Sequence, residues 1–214
     1  MNLAPPARRL IVIGAPLGLG LLELSHPIVP PTDVLHHMQP HAAWWIAIHM
    51  LQLPLFALLA VAMALAVGGA QIRAAVVGRL GLAVFALFYG AFDGIAGIAN
   101  GIVIQTGAAL GHGAHELTEA FVLALFTAPA TLTVMGIGIL GWLVGLGGVT
   151  FTLRRRGAPG GALALLVVGG VLFGYSHAPP VGPVGLLLMT AALAWVELRA
   201  QPAQAARPAL PRNA

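Results

Sequence analysis

The chain has 214 residues, 59% of them hydrophobic, and only ten basic and six acidic residues, for a net charge of +4. Soluble domains average about half apolar and a quarter charged residues, so this composition excludes an ordinary soluble enzyme and a disordered chain. The basic residues are all Arg and form no basic stripe, which excludes nucleic acid as a partner. Cysteine is absent, which excludes thiolate metal sites, thioether-linked haem and disulfides.

Six apolar segments are each a candidate for crossing a bilayer, which takes about 20 mostly apolar residues. Their approximate bounds are 10–29, 42–67, 80–104, 121–153, 161–177 and 183–198. The 35 residues from Glu119 to Arg154 would make about 52 Å of helix, too long for one span. We therefore predict a short outer helix that breaks near Pro129, followed by a span from about Ala130.

This pattern predicts an all-α, polytopic membrane protein with six transmembrane helices in residues 1–199. The last residues, 200–214, are polar and rich in Ala and Pro, which is typical of a disordered tail.

The arginines predict the orientation in the membrane. With six spans, all of them lie in segments on one side: Arg8, Arg9, Arg73, Arg79, Arg154, Arg155, Arg156, Arg199, Arg207 and Arg212. The other three loops hold no Lys or Arg, so the positive-inside rule predicts that both termini are cytoplasmic. We expect a multi-pass protein of a bacterial-type inner membrane. Its partner is the lipid bilayer, with subunits of a membrane complex or a second copy of the chain as candidate further partners.

Five ionisable residues are predicted to share one layer near the outer surface. The helical rise of about 1.5 Å per residue puts Glu23 and Asp93 each roughly 21 Å beyond the nearest preceding Arg, and His26, His49 and His177 at a similar depth. Ionisable groups inside a membrane are costly and mark function. We predict a metal site with His26, His49 and His177 as ligands and with Glu23 and Asp93 as catalytic carboxylates, either as ligand or as general base.

Local spacing adds detail to this prediction. Glu23 and His26 have the Glu-x-x-His spacing found in helical metal sites. Ser25-His26-Pro27 and Ser176-His177-Ala178-Pro179 form a short repeat, since each ends an apolar segment with a Pro-containing turn.

Glycines beside Asp93 indicate how that residue is oriented. Gly90, Gly94, Gly97 and Gly101 form a stripe of small residues, which lets helix backbones approach closely in a membrane. Asp93 flanks the stripe and is therefore expected to face protein and not lipid.

The remaining polar and aromatic residues have plainer interpretations. We expect His36, His37, His41 and His112 to be solvated loop residues, and His115 and Glu119 to share a face of the outer helix above the buried layer. Trp44 and Trp45 are interpreted as an outer aromatic belt. Glu197 is expected at the cytoplasmic interface beside Arg199.

Several functions are compatible with this set of residues. A divalent ion is the expected cofactor: zinc, which takes three His or carboxylate ligands and leaves an open position, or non-haem iron, which takes two His and a carboxylate. A b-type haem between His49 and His177 is the alternative cofactor. The protein is then a membrane metalloenzyme, a carrier or accessory subunit that relays protons or cations, or a structural subunit.

Overall fold

The computed structural model describes residues 4–28 and 34–199, and the regular structure in these ranges is helical. The α-helices are α1 Pro5–Glu23, α2 Val34–Met38, α3 Ala42–Ala66, α4 Arg73–Asp93, α5 Asn100–Leu110, α6 His115–Thr127, α7 Pro129–Arg155, α8 Gly160–Tyr175 and α9 Val181–Arg199. Short 3-10 turns precede α3 and α6, and a π-helical turn, Gly94–Ala99, joins α4 to α5.

Four helical stretches in the described ranges are long and apolar enough to cross a membrane: Val34–Ala66, Arg73–Leu110, His115–Arg155 and Val181–Arg199. Helix α8 is apolar but has only 16 residues. Helix α1 has 19 residues and carries two arginines and Glu23. The fold is therefore all-helical and has the apolar helices of a membrane protein.

Most predicted segments match helices of the structure. Helices α3, α8 and α9 begin and end within two residues of the predicted bounds. The break near Pro129 is confirmed, since α6 ends at Thr127 and α7 begins at Pro129. A proline at the first helical position starts a helix well but disfavours helical conformation in the residue before it. The predicted tail, 200–214, lies outside the described residues.

Two segments differ from their predicted bounds. Helix α1 runs from Pro5 to Glu23 and so begins and ends several residues early; Pro27 has no N–H to donate to the Glu23 carbonyl, so the helical hydrogen bonds cannot continue there. The third segment is longer than predicted, running from Arg73 to Leu110 with the π-helical turn in the middle.

Glycines let α4 and α7 pack with their backbones in contact. A Cβ added at Gly81 would lie 2.6 Å from the backbone nitrogen of Gly145, and one at Gly141 would lie 2.7 Å from that of Phe85. Gly138 likewise allows the backbone of Tyr89 to approach. The resulting contact holds the end of α4, with Tyr89 and Asp93, at a defined place in the bundle.

Arginines gather at one end of the bundle, around the connection between α3 and α4. Arg79 donates to the Gly68 carbonyl at 2.6 Å and Arg156 donates to the Val67 carbonyl at 2.6 Å. Arg8 donates to the Leu65 carbonyl at 3.2 Å. The first turn of α1, the start of α4 and the C-terminal end of α7 therefore meet at this end.

Glu197 was predicted to point to the interface beside Arg199, but it is buried and paired with Arg8 instead. It is only 3% exposed; its Oε2 accepts a hydrogen bond from Arg8 at 2.7 Å, and its Oε1 lies 2.7 Å from the second guanidinium nitrogen in an ion pair. A buried carboxylate requires a partner, and Arg8 on the neighbouring helix provides one. The contact joins the start of α1 to the end of α9.

We expect Gly141→Ala to destabilise the protein by about 1–3 kcal/mol, because the added methyl group pushes α7 away from the backbone of α4. Gly147→Ala is the matched control, since nothing lies within 4 Å of a Cβ at Gly147 on the same helix; it should stabilise by up to about 1 kcal/mol through helix propensity. Thermal unfolding in detergent, followed by circular dichroism, measures both. Equal Tm values for the two variants would contradict the close contact.

Candidate metal centre

Three histidines meet near the C-terminal end of α1, at the end of the bundle away from the arginines. One ring nitrogen each of His26, His49 and His177 lies within 4.8 Å of the other two. The ring of His26 is 5.1 Å from that of His49 and 5.3 Å from that of His177, centroid to centroid, and the rings meet edge to face. These three residues are the predicted ligand set, and the fold brings them together.

The spacing of the three nitrogens fits a single ion. Zinc binds imidazole nitrogen at about 2.0–2.1 Å with tetrahedral angles, which puts two ligand nitrogens about 3.4 Å apart. Because the nitrogens of the three rings are at most 4.8 Å apart, closing on an ion requires movements of about 1.4 Å or less.

Hydrogen bonds at Nδ1 determine which nitrogen of each ring carries the proton. The Nδ1 of His49 donates to the Trp45 carbonyl at 2.6 Å, and the Nδ1 of His26 donates to the Pro27 carbonyl at 2.9 Å. A carbonyl can only accept, so Nδ1 holds the proton and Nε2 keeps its lone pair. Histidines that bind metals are oriented in this way by a hydrogen bond from the other nitrogen.

The third ring is held by a side chain. The Nδ1 of His177 lies 2.9 Å from the hydroxyl oxygen of Tyr89. The Nε2 atoms of His26 and His177 are buried and have no hydrogen-bond partner among the described residues. Tyr89 was missed in the sequence, although it lies one helical turn before Asp93 and therefore on the same face of α4.

Two histidines sit in turns that directly follow a helix. His26 comes three residues after the end of α1 and His177 comes two residues after the end of α8. The short repeat that begins at Ser25 and at Ser176 thus corresponds to two similar helix terminations. Gly182 allows α9 to start against the His177 turn, because a Cβ there would overlap the His177 carbonyl group.

His49 lies within α3 and is held between Trp45 and the π-helical turn. A Cβ at Gly97 would overlap the His49 ring, so glycine is required for this contact. The Trp45 indole packs 4.5 Å from the His49 ring, centroid to centroid, and its Nε1 donates to the Gly97 carbonyl at 2.9 Å. Trp45 is only 6% exposed, so its assignment to an aromatic belt is wrong.

The two predicted catalytic carboxylates are both buried, but they differ in their surroundings. Asp93 borders the centre, with Oδ1 3.9 Å from His49 Nε2, and neither of its oxygens has a hydrogen-bond partner among the described residues. Glu23 Oε1 accepts a hydrogen bond from Gln52 Nε2 at 2.7 Å. Neither carboxylate belongs to the close group that the three histidines form. The roles of Glu23 and Asp93 stay predictions.

A cavity of about 520 Å³ opens beside the histidines. The histidines, Asp93 and Ser176 contribute its polar lining, and the rest of its wall is apolar. From α6 the cavity is lined by Leu123 and Phe126, whereas His115 and Glu119 of that helix are exposed. Leu123 and Phe126 lie four and seven residues after Glu119 and therefore share its face of the helix. The C-terminal half of that face, and not the end that carries His115 and Glu119, covers the buried layer.

The histidines outside the centre were predicted to lie at the surface. His36, His37 and His41 are exposed, as expected of solvated residues. They lie on α2 and the 3-10 turn that follows it, so this segment is helical and not an irregular loop. The side chain of His112 is not among the described parts of the chain.

A haem between His49 and His177 does not fit this arrangement. The porphyrin plane would have to pass between the two rings, and the His26 ring lies against both of them. Three nitrogens that converge on one point instead match the ligand set of a single ion.

Comparison with known proteins finds no match: no family model, no curated protein and no solved structure is similar to this chain. The function is therefore inferred from the geometry of the site.

We expect Gly97→Ala to weaken binding of a divalent ion by about 10- to 100-fold, the usual effect of disturbing the outer partners of a ligand. The added methyl group displaces the His49 ring. Gly94→Ala in the same π-helical turn is the control, because a Cβ there meets nothing within 4 Å. Competition titration with a chelator measures both affinities, and an unchanged affinity in Gly97→Ala would contradict the packing described.

Proposed function

We propose that the protein is an integral membrane metalloenzyme that binds one divalent ion through the Nε2 atoms of His26, His49 and His177. The observation that carries this proposal is the pattern of hydrogen bonds at the opposite nitrogens. The Nδ1 atoms of His49 and His26 donate to the Trp45 and Pro27 carbonyls, so their Nε2 lone pairs are left for a ligand; His177 offers the same lone pair when its Nδ1 donates to the Tyr89 hydroxyl. A set of three histidines with no carboxylate in the group favours zinc over non-haem iron.

Asp93 is proposed as the general base of this site. Its two oxygens have no hydrogen-bond partner among the described residues, and Oδ1 is 3.9 Å from His49 Nε2. A carboxylate at such a position can accept a proton from a reacting group held at the fourth coordination position. The bound ion would supply Lewis-acid chemistry. Glu23 is proposed as a supporting group, since Gln52 already binds one of its oxygens.

We further propose six membrane crossings with both termini in the cytoplasm of a bacterial-type cell. The contact between Arg8 and Glu197 joins the first and last helices at one end, and Arg79 and Arg156 lie at that same end. The positive-inside rule assigns this end to the cytoplasm. Helices α1 and α8 cross in spite of their length, because tilt and local thinning of the bilayer accommodate mismatch. The metal centre then lies near the extracytoplasmic surface.

A non-enzymatic cation or proton relay is the second candidate. It is favoured by a further set of buried polar atoms without protein partners among the described residues: Glu23 Oε2, Gln52 Oε1 and both side-chain polar atoms of Asn100. Buried polar groups of this kind are satisfied by water or ions, and they extend the polar region beyond the histidines. A relay needs no tightly bound ion, so metal content separates the two candidates.

We expect the purified protein to retain about one divalent ion per chain, and His49→Ala and His177→Ala to lose it. His41→Ala is the control, because this histidine is exposed and away from the centre. Elemental analysis after dialysis measures the content of zinc and iron, and absorption spectra test for haem. A metal-free wild type, or full retention in both site variants, would refute the shared metal site.

The absence of cysteine in the natural sequence allows a direct test of orientation. A single cysteine at Gln71, in the exposed α3–α4 connection, or at Glu116, exposed on α6, supplies one reactive thiol on each proposed side. We expect a membrane-impermeant maleimide to label Glu116→Cys in bacterial spheroplasts, and Gln71→Cys only after permeabilisation. The reverse pattern would contradict the proposed topology.

A further inference from the structure

We infer that the substrate is a neutral carbonyl compound with a long apolar tail, and that it enters the cavity from the lipid beside α6. This inference rests on the proposed function, since the metal centre is taken as the reacting end. It adds the chemical class of the substrate and its route of entry.

The wall of the cavity is suited to an apolar tail. Beyond the metal centre it consists mainly of aliphatic and aromatic side chains, including Ile28, Val34, Trp45, Phe92, Leu123 and Phe126. The polar groups, in contrast, are concentrated at the histidines, Asp93 and Ser176. Pockets that bind drug-sized ligands have volumes of about 300–1,000 Å³, and this one, at about 520 Å³, lies within that range. A ligand with one polar end and an apolar body matches this distribution.

The charges around the cavity argue against an anionic substrate. Phosphate and carboxylate groups are usually bound by Arg or Lys, and none of the described residues that line the cavity is either. Arg8 lies 15 residues before Glu23 on α1, or roughly 22 Å along the helix. Asp93 would offset part of the positive charge of a bound ion, so the ion alone does not make the cavity selective for an anion. A neutral ester or amide carbonyl meets neither difficulty.

The entrance lies where lining residues reach the surface. Ile28 is 72% exposed and Leu123 is 59% exposed, although both line the cavity, whereas Trp45 lies deeper and is buried. Leu117 and Phe121, on another face of α6, are also exposed apolar residues. An exposed apolar surface around an opening marks contact with lipid or with an apolar ligand. The opening therefore faces a region from which a membrane-dissolved compound can enter.

The test uses zinc-loaded protein in lipid nanodiscs and three probes: acetohydroxamic acid, octanohydroxamic acid and octyl phosphate. The hydroxamic acid group is neutral in solution, unlike the phosphate, and gives up its proton to Asp93 or solvent when it binds the ion, while the tail samples the cavity. Moving one methylene from water into the cavity contributes about 0.8 kcal/mol, which lowers Kd about fourfold. The net gain is smaller for a probe whose tail is already dissolved in the lipid. We expect octanohydroxamic acid to bind at least tenfold more tightly than acetohydroxamic acid, and octyl phosphate to bind more weakly than octanohydroxamic acid.

Variants on α6 test the route. Leu123→Trp narrows the opening and should slow the association of octanohydroxamic acid at least tenfold while leaving that of acetohydroxamic acid within about twofold. Leu117→Trp is the matched control, because Leu117 is exposed on the same helix and is not among the lining residues; it should change neither association rate. Calorimetry measures Kd for the probes, stopped-flow mixing measures the association rates, and the zinc content of each variant checks that the centre is intact.

The outcomes separate the two proposals. If zinc binds and acetohydroxamic acid binds, but the octyl tail adds nothing or Leu123→Trp has no effect, the substrate class or route is wrong and the metal centre stands. If octyl phosphate is preferred, the neutral class is wrong. If the wild type binds neither zinc nor any hydroxamate, the proposed function itself fails.

Discussion

The chemistry of this site depends on which ring nitrogen of three histidines carries the proton. For His26 and His49 the partner of Nδ1 is a backbone carbonyl, which can only accept, so the proton stays on Nδ1 and the Nε2 lone pair is available to a ligand. His177 is oriented by the hydroxyl of Tyr89. If Nε2 carried the proton instead, these residues would present an N–H there and not a lone pair. Two rings with a fixed acceptor nitrogen, and a third ring within ligand distance of both, favour a metal over a plain polar network.

The rest of the fold keeps these hydrogen bonds in place. Glycine contacts between α4 and α7 position Tyr89 and Asp93, and the π-helical turn brings the Gly97 carbonyl to Trp45, whose own carbonyl orients His49. Turns of this kind are rare in α-helices and are often found at functional sites. At the other end, the ion pair between Arg8 and Glu197 ties α1 to α9. The helices that carry the histidines are thus connected at both ends.

Much of this could be predicted from the sequence, because apolar length and helical rise determine which residues share a depth. That reasoning found His26, His49 and His177 as a group and the break before Pro129, and both agree with the structure. It failed for Glu197 and Trp45, whose partners, Arg8 and Gly97, lie on other elements. Depth says nothing about how a helix is rotated or which neighbour it meets. The π-helical turn has no marked local signal, since its residues are also compatible with an α-helix.

Zinc-edge X-ray absorption of the zinc-loaded protein tests the central claim most directly. We predict three imidazole nitrogens at about 2.0–2.1 Å, with the multiple-scattering pattern of imidazole rings, and one oxygen ligand. The spectrum of His177→Ala should show at least one imidazole ligand fewer than that of the wild type. A shell of oxygens alone, or one imidazole or fewer in the wild type, would contradict the account.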